Sequence, residues 1–287
     1  MNRHSLNYRR TDTILLSVLV AVAFVVLTIP VWRWLWQEWM GNDYYSHGVL
    51  VPFVAAFLGL QRIRNDKQFT WRPQVTKLSG LIALTVGLII FLYFIYEKAY
   101  YLAGFTSIGI LACLVWLLGG GVALRKLAFP LAYLMFMVPL PFIERSTLPL
   151  AMFTGVCSGG LVQFLGMDVN IVGNAVSLPN ANLVIGAQCS GINSLITLLS
   201  LTTLIAYLFE GPLWGRLTLI VLAVPLAMAS NILRVSSLIA VARAYGVETA
   251  FRYYHDYSGL LFFILMLLLI FPLTKVLHCR TLRLEVI

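Results

Sequence analysis

The sequence predicts an all-α polytopic membrane protein with about eight transmembrane helices, a small β-hairpin, and an interfacial or re-entrant helix on the outer face. Hydrophobic residues make up 60% of the 287 residues and charged residues only 11%, a composition typical of a membrane-embedded chain. Apolar runs of helical length recur along the whole sequence, and basic residues gather between alternate runs. We therefore expect residues 1–287 to form a single integral membrane domain.

A helix needs about 20 apolar residues to cross the hydrocarbon core of a bilayer. By that rule we predict eight spans, of which the second and fifth are short and contain or adjoin prolines that make their ends irregular. The first span, behind a basic N-terminal segment, is expected to be an uncleaved signal anchor. The predicted spans cover residues 13–31, 48–62, 78–96, 101–118, 127–141, 190–209, 216–240 and 258–276.

The stretch 148–165 is apolar enough to cross a membrane but contains several small and polar residues. We place it as a re-entrant or interfacial helix on the outer side. With the N-terminus inside, most of the 20 basic residues then lie on the inner side, as the positive-inside rule requires. A full crossing of 148–165 would move Arg216 and the C-terminal basic residues outside and weaken that asymmetry.

Residues 169–186 differ from their apolar surroundings. Short β-prone runs are separated by the turn signals Gly173-Asn174 and Pro179-Asn180, a pattern that predicts a small hairpin or meander. Under the predicted topology it lies on the outer face and leads the chain directly to Cys189.

Cys189 stands immediately before an apolar helical run. Free backbone N–H groups and the positive dipole end of a helix N-terminus favour a thiolate and could hold an oxyanion. Ser190 and Gly191, which follow it, are expected to contact the substrate or to support the cysteine. The alternative is a small buried cysteine with no chemical role.

The remaining composition excludes several classes of function. Cys113, Cys157 and Cys279 have neither the spacing of a disulfide framework nor that of a zinc site, so we expect no metal and no cofactor. The net charge of +9 could suggest a nucleic-acid partner. In a polytopic protein, however, basic residues mostly set orientation, and we therefore expect no nucleic acid.

Arg234 lies within the apolar stretch 217–242, where a guanidinium costs at least about 2.5 kcal/mol at bilayer depth unless it meets a partner or a wet cavity. Asn231 is three residues earlier and therefore on the same helical face. The two side chains together could bind a carboxylate or a carbonyl group, or orient the reacting group. Alternatively, Arg234 snorkels to the outer headgroups.

Two histidines lie at predicted outer helix ends. His255 can carry a proton between a thiol and a leaving amine, and the neighbouring Asp256 could orient it, although His255 could instead belong to an interfacial aromatic belt. His47, with Asp43, opens the second span. One histidine and one carboxylate give a weak metal signal, so we expect this pair to contact the substrate or to be structural.

Cys189, Arg234 and His255 all fall at the outer face under the predicted topology and can meet there as an acyl-transfer site. On these residues the chain resembles the exosortases, in the exosortase/archaeosortase group of polytopic membrane transpeptidases. The matching features are Tyr45-Ser46-His47-Gly48, Cys189-Ser190-Gly191-Ile192, Asn231-Ile232-Leu233-Arg234, and His255 followed by Gly259. The chain has Gln188 where many relatives carry alanine.

The resemblance implies a membrane cysteine protease or transpeptidase in the bacterial inner membrane, with its active site facing the periplasm. Such an enzyme cleaves C-terminal sorting signals of secreted proteins, typically PEP-CTERM proteins linked to exopolysaccharide production. Carried over to this chain, Cys189 is the nucleophile, Arg234 the oxyanion stabiliser or substrate clamp, and His255 the general acid or base. The expected partners are the substrate tail, the lipid bilayer, and an acceptor from a lipid or polysaccharide, or water.

A second class of function fits the same composition. In a transporter or assembly protein for an anionic exopolysaccharide intermediate, Arg234, His47 and His255 would bind the sugar. The two alternatives differ at Cys189, because only the enzyme needs its thiol.

Overall fold

The computed structural model describes residues 3–66, 77–179 and 181–283. Within those ranges the chain forms nine α-helices and five short strands. The helices are α1 Arg3–Gly41, α2 Leu50–Arg64, α3 Leu78–Tyr96, α4 Tyr100–Tyr133, α5 Pro141–Phe164, α6 Ile192–Leu208, α7 Leu213–Tyr245, α8 Val247–Thr249 and α9 His255–Val276. The strands are β1 Asn170–Val172, β2 Ala175–Leu178, β3 Ala181–Val184, β4 Phe209–Glu210 and β5 Thr281–Leu282.

Eight helical segments of the described chain are long and apolar enough to cross a membrane, which confirms the predicted fold class. The segments are Val18–Gly41, Tyr44–Arg64, Leu78–Tyr96, Tyr100–Met137, Pro141–Phe164, Ala187–Leu208, Leu213–Tyr245 and Tyr257–Val276. The number agrees with the prediction, but the set differs. The predicted fourth and fifth spans lie in one segment, and the stretch 148–165 belongs to another. Its placement as re-entrant or interfacial on the outer side stays a prediction.

The chain divides into two compact units, with the boundary between Pro139 and Leu140. The expectation of one integral membrane domain over residues 1–287 therefore stays a prediction. The first unit contains α1 to α4, and the second contains the remaining helices and all five strands.

In the first unit, α4 is interrupted at Gly120, whose φ of 74° and ψ of −177° suit glycine alone. A straight helix of 34 residues would be about 51 Å long. Yet a Cβ added at Gly104, near its start, would lie 3.2 Å from Val138, beyond its end. The chain therefore reverses at Gly120. The predicted spans 101–118 and 127–141 therefore correspond to two antiparallel arms, of which the second ends at Tyr133 and continues as a 3-10 turn to Met137.

Helix α1 packs against the rest of the first unit through one stripe of its own side chains. Thr28, Val31, Leu35 and Trp39 are buried at intervals of three or four residues, the spacing of one helical face. At the end of the stripe the indole N–H of Trp39 donates to the carbonyl oxygen of Met137 over 2.9 Å. This bond attaches the end of α1 to the 3-10 turn that follows α4.

In the second unit, α6, α7 and α9 alternate in direction. Strand β4, between α6 and α7, pairs with β5 beyond α9 through Glu210 and Thr281. That pairing joins the end of α6, the start of α7 and the end of α9. Cys189, before α6, and His255, at the start of α9, therefore lie at the opposite end. The core between these helices includes Leu198, Leu219, Ala223 and Ile270.

The predicted β-structure over 169–186 is confirmed as an antiparallel meander in the order β1-β2-β3. It packs on α5 through small residues: a Cβ added at Gly155 would lie 3.1 Å from the backbone of Asn174. Buried side chains of the meander continue the core between α5 and α7, namely Val176, Leu178, Leu183 and Ile185. The close approach of α5 fixes the segment that leads to Cys189.

Candidate active site

The structure brings Cys189, Arg234 and His255 together. The Sγ atom of Cys189 lies 3.6 Å from Nε2 of His255, and Nη2 of Arg234 lies 3.1 Å from the same nitrogen. Three separate helical segments of the second unit supply these groups. Arg234 is 21 residues beyond Leu213, the first residue of α7, about 32 Å at 1.5 Å per residue. This distance is about the thickness of a bilayer core.

A tight turn places Cys189. The residues Ala187–Cys189 form a 3-10 turn, in which the Cys189 N–H donates to the Gly186 carbonyl oxygen over 2.9 Å. Gly191 then takes a φ of +75° as the residue before α6. Cys189 is 0% exposed. A substrate carbonyl can therefore reach the sulfur only when the surrounding side chains move.

Asn231 supports that turn. Its Nδ2 atom donates to the carbonyl oxygen of Cys189 over 2.8 Å and to Oγ1 of Thr154 over 3.1 Å. The amide is buried, with 5% of the residue exposed. A Cβ at Gly191 would collide with it. These bonds orient the residue that carries the thiol, and the expected binding of a carboxylate or a carbonyl group by Asn231 and Arg234 together stays a prediction.

Arg234 is held by α9. Its Nη2 also donates to the His255 carbonyl oxygen over 3.2 Å, and its Nε donates to Oγ of Ser258 over 3.4 Å. A Cβ at Gly259 would lie 3.4 Å from the guanidinium carbon, so the missing side chain leaves room for the arginine. The guanidinium is therefore bound within the protein, where the alternative prediction had it extended toward headgroups.

A π-helical turn places His255. The turn covers Ala250–Tyr254 and adds a residue to the normal helical repeat, a feature frequent at functional sites. The phenyl ring of Phe251 stacks on the His255 imidazole at a centroid distance of 6.0 Å. The hydroxyl of Tyr254 donates to Ser237 over 2.8 Å and fixes the turn to α7.

The contact with Arg234 limits the tautomer that a neutral His255 can adopt. A guanidinium has only N–H donors and stays charged at any ordinary pH. The contact with Nη2 of Arg234 is a hydrogen bond only in the tautomer whose Nε2 carries no proton, because the guanidinium can only donate. In that tautomer a neutral His255 has its proton on Nδ1, and its one acceptor nitrogen faces both the arginine and the Cys189 sulfur.

The structure places Ser190 and His47, two other predicted site residues, in different units. Ser190 is buried, and its Oγ accepts the N–H of Ile192 over 3.4 Å, so it supports the start of α6. His47 is in the first unit, half-buried, with its ring 6.3 Å from that of Tyr45. The side chains of Asp43 and Asp256 lie outside the described part of the structure. The roles expected for His47, Asp43 and Asp256 stay predictions.

Two contributors were missed by the sequence reasoning. Ser258 lies one helical turn after His255, a spacing that could have pointed to it. Thr154 lies on α5, and no motif in the sequence connects it to Cys189. Among the described residues, no three of the types His, Cys, Asp and Glu gather as a metal site would require. The described cysteines are all free thiols.

The comparisons with known proteins bear on this geometry. A family model described as "Transmembrane exosortase (Exosortase_EpsH)" matches residues 36–272, which include every residue of the site. Neither the search of curated proteins nor that of solved structures found a match.

Proposed function

The chain belongs to the transmembrane exosortase family, and we propose that it is a membrane-embedded cysteine transpeptidase that cleaves C-terminal sorting signals of secreted proteins. The observation that supports this most is the meeting of the Cys189 sulfur and the His255 imidazole at 3.6 Å. A nucleophile and a base within hydrogen-bond reach, with a third group orienting the base, are the parts that acyl transfer needs.

The first step is transfer of the thiol proton to Nε2 of His255. In the resting arrangement Arg234 occupies that nitrogen with an N–H donor over 3.1 Å. The guanidinium must therefore shift before the imidazole can accept a proton. We propose that the arriving substrate carbonyl accepts the arginine N–H in place of the imidazole, so that the guanidinium is already in position for the negative charge that this oxygen gains in the next step.

The second step forms the acyl-enzyme. The sulfur of Cys189 bonds to the carbonyl carbon of the scissile peptide, and the oxygen takes the electron pair as an oxyanion. Arg234 and backbone N–H groups in the first turn of α6 stabilise that charge. The C–N bond then breaks, the proton on Nε2 of His255 passes to the leaving amine, and a thioester remains.

The third step releases the product. An acceptor amine from a lipid or polysaccharide carrier, or water, attacks the thioester carbonyl. His255 takes the proton of the attacking group and returns it to the sulfur, which restores the thiol. None of these three steps uses a cofactor.

We place the site at the outer, periplasmic face of the bacterial inner membrane, and the substrates we propose are proteins with PEP-CTERM-like tails. The charge distribution of the second unit supports this orientation through the positive-inside rule. Four basic residues lie at the β4–β5 end, opposite the site, namely Arg216, Lys275, Arg280 and Arg283, whereas the site end carries Arg243 and Arg252 besides Arg234. The tail helix of a substrate would lie beside the bundle with its scissile bond level with Cys189.

The decisive test is Cys189→Ala in membranes that also contain a secreted protein with such a tail. We expect processing to stop, while the matched variant Cys157→Ala, on α5, processes normally. Mass spectrometry of the new substrate C-terminus identifies the cleavage site and any attached group. Undiminished processing by a properly inserted Cys189→Ala variant would refute the enzyme. A carrier of anionic polysaccharide intermediates would retain its transport in that variant.

A further inference from the structure

We propose that Thr154 is a positioning residue for the nucleophile, which acts on Cys189 through Asn231. This inference rests on the proposed function, since it assigns Thr154 a part in the reactivity of the Cys189 thiol. Thr154 belongs to none of the sequence motifs that identify the site. The helix that carries it, α5, supplies none of the three reacting side chains.

The geometry is a continuous chain of hydrogen bonds from α5 to the nucleophile. The Nδ2 atom of Asn231 donates to the carbonyl oxygen of Cys189 over 2.8 Å and to Oγ1 of Thr154 over 3.1 Å. The carbonyl oxygen of Cys189 can only accept, so the amide must present its NH₂ group to both partners. Its two N–H donors are then both used. Thr154 and Asn231 are 3% and 5% exposed, so water does not compete for these bonds.

Helix α5 also holds the segment before the nucleophile. The Nδ2 atom of Asn174 donates to the carbonyl oxygen of Ile185 over 3.0 Å, and the N–H of Ile185 donates back to Asn174 over 2.8 Å. Asn174 in turn rests on Gly155, next to Thr154. One turn of α5 therefore supports the chain on both sides of Cys189.

The hydroxyl of Thr154 is the part that the proposal requires. Replacement by valine keeps the branched shape but removes the acceptor, so one N–H of Asn231 is left unpaired in a buried place. The amide then turns toward another acceptor and releases the carbonyl of Cys189. The sulfur then loses its alignment with Nε2 of His255. Such a misplacement lowers the rate of the chemical step but leaves substrate binding unchanged.

The experiment compares Thr154→Val with Thr154→Ser in the full-length protein. We expect kcat for tail processing to fall by about ten- to a hundredfold in Thr154→Val, with KM unchanged, and to recover in Thr154→Ser. The control is Thr202→Val on α6, where the structure gives the buried hydroxyl no hydrogen-bond partner within its described part. That variant should process at the normal rate.

A double-mutant cycle with Asn231→Ala separates positioning from general destabilisation. If Thr154 acts through Asn231, Thr154→Val has no further effect in the Asn231→Ala background. The same cycle is measured on the iodoacetamide labelling rate of Cys189, followed by peptide mass spectrometry. This second measurement requires no substrate.

The possible results are distinct. The role of Thr154 would be overturned if Thr154→Val had full activity, or if the rate losses of Thr154→Val and Asn231→Ala multiplied in the double variant as independent effects do. The proposed function would survive either result as long as Cys189→Ala abolishes processing. If Cys189→Ala keeps processing, the transpeptidase proposal and this inference fail together.

Discussion

Nη2 of Arg234 lies 3.1 Å from Nε2 of His255, so the guanidinium occupies the nitrogen that the proposed mechanism uses as its base. The same nitrogen is 3.6 Å from the Cys189 sulfur, and a neutral imidazole has one acceptor nitrogen. Arginine and thiol therefore compete for it. A membrane protease with such a site would have a less reactive thiol until a substrate draws the arginine away.

Arg234→Ala should separate the two roles of the arginine. Processing should fall by about 10²- to 10³-fold, the usual cost of losing a donor to an oxyanion. Iodoacetamide labelling of Cys189 without substrate should become faster, since Nε2 is then free to accept the thiol proton. Arg243→Ala, an exposed arginine of the same helix, is the matched control. Slower labelling in Arg234→Ala would mean that the charge supports the thiolate, contrary to a blocking role.

Gly191→Ala should stop tail processing and destabilise the protein. The residue has a φ of +75°, which costs an alanine about 1–2 kcal/mol, and its Cβ would collide with the Asn231 amide. Gly160→Ala on α5 is the control, because a Cβ there meets nothing within 4 Å and alanine favours the helix by about 1 kcal/mol. Thermal unfolding and tail processing are measured for both. Equal behaviour of the two variants would contradict the proposed fit at Gly191.

Ser258→Ala should reduce processing by about tenfold. Its hydroxyl accepts from Nε of Arg234 over 3.4 Å and donates to the His255 carbonyl oxygen over 2.9 Å, so it sets the guanidinium against the imidazole. Hydrogen bonds to charged groups contribute about 1.5–3 kcal/mol. Ser146→Ala, an exposed helical serine, should keep full activity. A Ser258→Ala enzyme as active as the wild type would show that α9 orients the arginine without this hydroxyl.

Thr202→Val should stabilise the protein. Thr202 is 0% exposed, and in the described part of the chain its hydroxyl has no hydrogen-bond partner. Removing an unsatisfied buried hydroxyl while keeping the branched shape should raise the free energy of unfolding by about 1 kcal/mol. The measurement is the thermal midpoint in detergent against that of the parent protein. A lower midpoint would indicate that the hydroxyl binds an unseen partner, such as water.

The spans could be predicted because long apolar runs have few stable alternatives in a bilayer. The ends of the helices differ from the predicted ends: α1 extends to Gly41, although its predicted span ended at residue 31. The two arms of α4 were predicted as separate spans, 101–118 and 127–141, but the second arm ends at Tyr133 and is followed by a 3-10 turn to Met137. The pairing of β4 with β5 was missed, because two-residue strands leave no periodic signal in a sequence.

The amino-acid sequence by itself determined the membrane class, the meander before Cys189 and the three residues most suited to acyl transfer. These features depend on local composition and on short motifs, which act over a few residues. Only the tertiary structure decided that Arg234 faces His255 and that Asn231 faces Cys189 and Thr154. The reason is that Thr154 is 77 residues from Asn231 along the chain, and such contacts depend on how the buried faces of α5, α7 and α9 pack.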